Sequence, residues 1–204
     1  MTVANAASLT ATSGTGAMLL DALKHDAKAN GAKASLGGVL KLLLLHSGFQ
    51  ALFFYRIELA LGRLGMPGKA AGRVLRAVSV CVTSCHFSPR ACLHPGISVP
   101  HGTGIVIGEG VEVQGKSRIY QHVTLGQDGR GEAAYPVIEE GATLYAGACV
   151  LGAIRIGRGA VVGANSVVLC SVEEGAVAVG APARTVGRKA QGMERIRASG
   201  EPTA

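Results

Sequence analysis

The side chains able to do chemistry are few and scattered in this 204-residue chain. It has six His and five Cys. Cys81 and Cys85 stand four apart, but no second pair follows to complete a zinc-type set, and Cys92, Cys149 and Cys170 are isolated. His86, His94, His101 and His122 lack the spacing of a three-histidine zinc site, so no metal is expected. What remains is metal-free chemistry. A neutral imidazole, with a pKa of about 6.5, takes a proton at cellular pH, which suits it to general-base work. An odd number of scattered thiols fits a reducing compartment, and a cytoplasmic location is expected.

The net charge is +7. No basic run is interleaved with aromatics, and no finger or helix-turn-helix spacing occurs, so nucleic acid is not expected. A ligand bearing several phosphates, or simple surface solubility, accounts for the balance. The N-terminus has neither a basic n-region nor a continuous apolar h-region, so no signal peptide is expected. The apolar stretch from Val39 to Leu61 carries Lys41, His46, Arg56 and Glu58, too many charges for a membrane span.

The elements that must position these groups follow from composition and period. Residues 1–16 are mostly Ala, Ser, Thr and Gly and are expected to form a disordered tail. Residues 17–85 form a helical region. Leu42, Leu45, Phe49, Leu52 and Phe53 recur at three- and four-residue steps as packing residues. Gly65, Pro67 and Gly68 mark a break, with a second helix from Lys69 to Val82.

Hydrophobic residues make up 48% of the chain, aromatics only 4%, and Gly numbers 30, which suits a tightly wound fold with many turns. After Pro89 the period becomes six. Leu93, Val99, Ile105, Val111, Ser117 and Val123 form one run, and Ile138, Leu144, Val150, Ile156, Val162 and Val168 a second. Ser117 alone is not aliphatic. Small residues follow four positions later at Ala142, Ala148, Ala160 and Ser166. A six-residue period suits a solenoid in which each piece is one short strand and a turn, three pieces to a coil. The two runs are out of phase, and GQDGRGEAAYP, residues 126–136, should leave the solenoid as a loop. The solenoid spans residues 86–190, and residues 191–204 form a C-terminal tail.

The residues themselves carry a resemblance. HGTGIVIGEGVEV (His101 to Val113), QHVTLG (Gln121 to Gly126), AGACVLGAIRIGRGAVVGANSVVL (Ala146 to Leu169) and VGAPARTVGRK (Val179 to Lys189) closely resemble the serine O-acetyltransferases of the hexapeptide-repeat acyltransferases. GFQALFFYRI (Gly48 to Ile57) is similar to the helix that precedes that family's solenoid. The resemblance implies a mainly β fold, a left-handed parallel β-helix after a small helical region. It also implies a trimer with active sites between adjacent subunits, and acetyl-CoA as co-substrate.

The resemblance makes His101 the general base that deprotonates an acceptor hydroxyl for direct attack on the thioester. It places the pantetheine arm along Ala146, Gly147, Gly163 and Ala164, and phosphate contacts at Arg184, Arg188 and Lys189. The acceptor side departs from the family. Pro100 replaces the aspartate before the histidine. His86, beside Cys85, stands where the family keeps an orienting aspartate, as an orienter of His101 or a second base. Ala134-Tyr135 replaces an Arg-His pair that holds the serine carboxylate. Tyr135, His122 and Cys85 are therefore candidates for the acceptor site. The chain ends EPTA, not in the isoleucine tail that docks into cysteine synthase, so that partnership is not implied. Three readings stand at this stage: an O-acetyltransferase acting on serine by other contacts, one acting on a sugar or specialised metabolite, and a non-catalytic binding or regulatory solenoid.

Overall fold

A computed structural model describes residues 15–33, 35–129 and 134–188. The expected tails lie outside these residues, except that Thr15 and Gly16 open the first helix. Lys189 and the loop residues 130–133 also lie outside.

Among the described residues four helices precede the solenoid: α1 (Thr15–Ala29), α2 (Leu36–Leu45), α3 (Ser47–Gly62) and α4 (Gly65–Thr83). The expected helical region has more breaks than periodicity gives. Ser35 caps α2 by accepting the Gly38 N–H at 3.2 Å, and His46 ends α2 and caps α3. The last break falls at Arg63-Leu64, so α4 starts at Gly65 and not Lys69. Pro67 sits in its first turn, where a missing N–H costs nothing. Among the described residues no single helix is long and apolar enough to cross a membrane; α2 and α3 reach that composition only together and are bent by 115°.

The solenoid is three stacks of parallel strands, mostly two residues long, and the chain visits the three faces in turn, through single bridges at Ser98 and Val172, until the last two strands pair on one face. The first face holds β1 (His86–Phe87), β3 (Val106–Ile107), β6 (Thr124–Gly126), β9 (Cys149–Leu151) and β12 (Val167–Val168). The second holds β2 (Cys92–Leu93), β4 (Glu112–Val113), β7 (Val137–Ile138) and β10 (Arg155–Ile156). The third holds β5 (Arg118–Ile119), β8 (Thr143–Leu144), β11 (Val161–Val162), β13 (Ala176–Gly180) and β14 (Ala183–Arg188), the last antiparallel. From β1 to β12 each strand points its second residue inward onto the matching residue of the next coil, as Ile107 on Leu125 and Leu125 on Val150. Burying one such aliphatic side chain stabilises by about 1.5–3 kcal/mol.

All twelve residues of the two six-residue runs are buried, but they belong to two different rows. Phe87, Leu93 and Val99 are inward strand positions, and the row continues at Ile107, not Ile105. The coil-to-coil register shows the cause. Val106 pairs with Thr124, eighteen residues on, but His86 pairs with Val106, twenty residues on. The two extra residues fall between Ser98 and Val106, in the turn that holds His101. Ile105, Val111, Ser117 and Val123 therefore form the corner row, two places before each inward residue, and match Ala142, Ala148, Ala160 and Ser166. Ser117 was the exception only because it was set in the wrong row. A corner tolerates a serine, and its Oγ donates to the Glu139 carbonyl at 3.0 Å. A second excursion lies where the loop was expected: Thr124 pairs with Cys149, seven residues beyond the regular eighteen.

Helices and solenoid are joined by a buried polar strap. Asp26 (0% exposed) accepts from Arg56 Nε at 2.9 Å and from the Gly96 N–H at 2.7 Å. Arg56 also donates to the carbonyls of Leu93 and His94. Asn30 donates to the Ile97 carbonyl and accepts the Val99 N–H. α1 and α3 thus hold residues 93–99, the run leading into the His101 turn.

Candidate active site

His101 is exposed in the turn from the third face to the first. That turn is clamped by the start of α3. The Gly102 N–H donates to Ser47 Oγ at 3.2 Å, and Gly48 packs against both Gly102 and the Val99 carbonyl so closely that a Cβ at either glycine would overlap backbone.

The turns above it on the same edge stack in register. The His122 N–H donates to the Thr103 carbonyl, the Gly147 N–H to Gln121 and the Asn165 N–H to Ala146. Three rows run up this edge: Gly102, Tyr120, Tyr145, Gly163; then Thr103, Gln121, Ala146, Ala164; then Gly104, His122, Gly147, Asn165. The third row is left-handed backbone, with φ of 65°, 57°, 71° and 54°, so Gly and Asn suit it and His122 is held there by the fold. The His122 ring lies against Gly104.

The structure thus gathers His101, His122, Ala146, Gly147, Gly163 and Ala164 on one edge. Arg184 and Arg188 are exposed on β14, the end strand of the third face. The other expected residues stand apart. Tyr135 returns from the loop to the edge between the first and second faces, where its ring covers Gly108 and Gly110. Cys85 is 2% exposed. It lies two places before the inward Phe87 and so belongs to the corner row. Burial raises its thiol pKa, partly offset by its hydrogen bonds. Its expected place at the acceptor site is corrected: it is a core residue. His86 points outward from the start of β1 and engages the solenoid through its N–H to the Ile105 carbonyl. Among the described residues its side chain makes no hydrogen bond or ring contact with His101, so its expected orienting role gains no contact.

Three aromatic groups near His101 escape a reading by motif. Tyr120 lies with its ring centroid 6.3 Å from that of His101, and Tyr145 stacks on Tyr120 at 5.1 Å. Both directly follow an inward strand residue, Ile119 and Leu144, a signal visible once the rows are set correctly. The third is His46. Its Nδ1 accepts the Phe49 N–H at 3.2 Å, which leaves the proton of the neutral ring on Nε2.

Burial of the His46 ring holds its pKa below the usual 6.5; a backbone hydrogen bond acts against this, and the His101 charge adds to it. The unfolded chain therefore takes up a proton near pH 6.5 that the folded chain refuses. This contribution to stability is present above that pH and is lost as pH falls through it. Between about pH 7.5 and 5.5, His46→Asn, which keeps a capping acceptor but cannot titrate, should show a shallower fall in Tm than the parent chain. Equal slopes would contradict it.

A three-sided solenoid of six-residue repeats, interrupted by a histidine turn and a longer excursion, defines a hexapeptide-repeat protein. No family model matches the chain. It is 42% identical to the serine acetyltransferase of Escherichia coli strain K12 over 148 residues, covering 72% of this chain and 53% of that protein. It is 34% identical to the serine acetyltransferase of Bacillus licheniformis over 157 residues, covering 76% and 72%. A solved serine acetyltransferase in complex with CoA superposes with a TM-score of 0.73 at 34% identity, covering 84% of this chain and 71% of that one. Soybean serine acetyltransferase complexed with serine gives 0.72 at 36% identity, covering 82% and 69%. The chain belongs to the serine acetyltransferase family. It spans about half the length of the first curated relatives it matches, 46% of the Synechococcus elongatus plasmid serine acetyltransferase and 53% of that of E. coli.

Proposed function

We propose that the chain is an acetyl-CoA-dependent O-acetyltransferase in which His101 is the general base. The observation that carries this reading is the single edge on which the exposed His101 turn continues into the small-residue turns at Ala146-Gly147 and Gly163-Ala164. Small residues there let an extended pantetheine arm lie close to the backbone. Arg184 and Arg188, exposed on β14, are the candidates for its phosphates, with Lys189 next in sequence. Likeness to a serine acetyltransferase solved with CoA supports the co-substrate.

The chemistry follows from the groups present. His101 takes the proton of the acceptor hydroxyl, and the oxygen attacks the thioester carbonyl. The carbonyl oxygen gathers negative charge, which backbone N–H groups of the turn stabilise. The C–S bond then breaks, and the departing CoA sulfur takes the proton held on the imidazolium. The reading includes a left-handed coil and a trimer with sites between subunits. Residues 86–190 carry the chemistry and residues 17–85 mount the His101 turn. A cytoplasmic setting is supported by free thiols at all five cysteines.

The test is release of free CoA thiol from acetyl-CoA with a panel of hydroxyl acceptors. Acceptor-dependent release supports the proposal. No release with any acceptor, and no CoA binding by calorimetry, would sink it in favour of a non-catalytic solenoid.

A further inference from the structure

The His101 edge carries two rings that the proposed chemistry leaves idle. Tyr120 and Tyr145 occupy the row that is glycine at Gly102 below and Gly163 above, so the coil itself does not demand a ring there. The two rings are stacked, 22° from parallel, and Tyr120 stands beside His101 with 52° between the planes. Tyr145 is 39% exposed. The stack is thus a short aromatic wall with the base at one end and an open ring at the other. Next to Tyr120, Gln121 Oε1 is buried and has no hydrogen-bond donor among the described residues. A buried acceptor without a donor is costly, so a donor supplied by a bound molecule is favoured there.

We propose that Tyr145, Tyr120 and Gln121 select the acceptor, and that it is a hydroxylated ring of the sugar type. This rests on the reading of His101 as base. The weakly positive C–H face of such a ring lies on the negative face of the tyrosines. One ring hydroxyl reaches His101, and another donates to Gln121 Oε1. A free amino acid offers no ring face. Its carboxylate would need cations, and Ala134-Tyr135 supplies none.

The full-length chain is assayed with acetyl-CoA and a panel of methyl hexosides, L-serine and L-homoserine. The expected result is a hexoside as best acceptor. Tyr145→Leu then lowers its kcat/KM about tenfold through KM, while Tyr145→Phe, which keeps the ring, does not. The KM for acetyl-CoA and the molecular mass by light scattering stay unchanged in both variants. Preference for serine or homoserine, untouched by Tyr145→Leu, would overturn the inference and leave the base assignment standing. A raised acetyl-CoA KM would overturn it by giving the rings to the co-substrate, and a changed mass would give them to a subunit contact. Absence of thiol release with every acceptor would instead defeat the acetyltransferase reading beneath it.

Discussion

Asp26→Ala is expected to destabilise the chain by about 3–5 kcal/mol, the usual cost of removing one partner of a buried ion pair. Asp26 is fully buried and Arg56 nearly so. The change leaves a desolvated guanidinium without its counter-ion, held by the Leu93 and His94 carbonyls and the Tyr55 ring, and strips the Gly96 N–H of its acceptor. For a chain of this length the loss corresponds to a fall in Tm of roughly 6–20 °C. A double change, Asp26→Leu with Arg56→Leu, should recover part of it, because two buried charges are then removed together. Thermal unfolding followed by circular dichroism measures both. A loss below about 1 kcal/mol for Asp26→Ala would mean that the strap is not holding the helices to the solenoid.

His101→Ala is expected to lower turnover by about 10²–10⁴-fold, the range a general base contributes. Its side chain is exposed and its turn is held by backbone contacts to Ser47 and Gly48, so Tm should not move. Affinity for CoA should also hold, since the assigned pantetheine turns lie on later coils. The loss should therefore fall on kcat, with the acetyl-CoA KM little changed. Normal turnover would remove His101 from the mechanism. A large loss of CoA affinity would make it a binding residue instead.

The scaffold was legible because a solenoid repeats one local problem. Aliphatic residues at Ile138 through Val168 mark the inward row without knowledge of any distant contact. The row failed at Val99 to Ile105 for a reason internal to the site. Two extra residues in the His101 turn shift the phase, and a fixed period steps over them from one row to the other. The same slip hid Tyr120.

Helical periodicity misjudged the N-terminal region for a different reason. Its breaks at Ser35 and His46 are capping events, settled by one side-chain oxygen or nitrogen each and not by the apolar pattern. The Asp26–Arg56 and Asn30 contacts join residues about thirty to seventy apart in sequence, and no spacing announces them. His86 and Tyr135 were singled out by matching positions along the chain. Matching cannot say which edge of a three-sided coil a residue occupies, and Tyr135 lies on a different one from His101.

Acetyl-CoA is proposed to lie along the edge from His101 through Gly147 to Ala164. The most direct measurement is a crystal structure of the chain with CoA. The expected result is the CoA sulfur beside His101, the pantetheine arm along Ala146-Gly147 and Gly163-Ala164, and the phosphates toward Arg184 and Arg188. CoA bound on another edge, with its sulfur remote from His101, would contradict it.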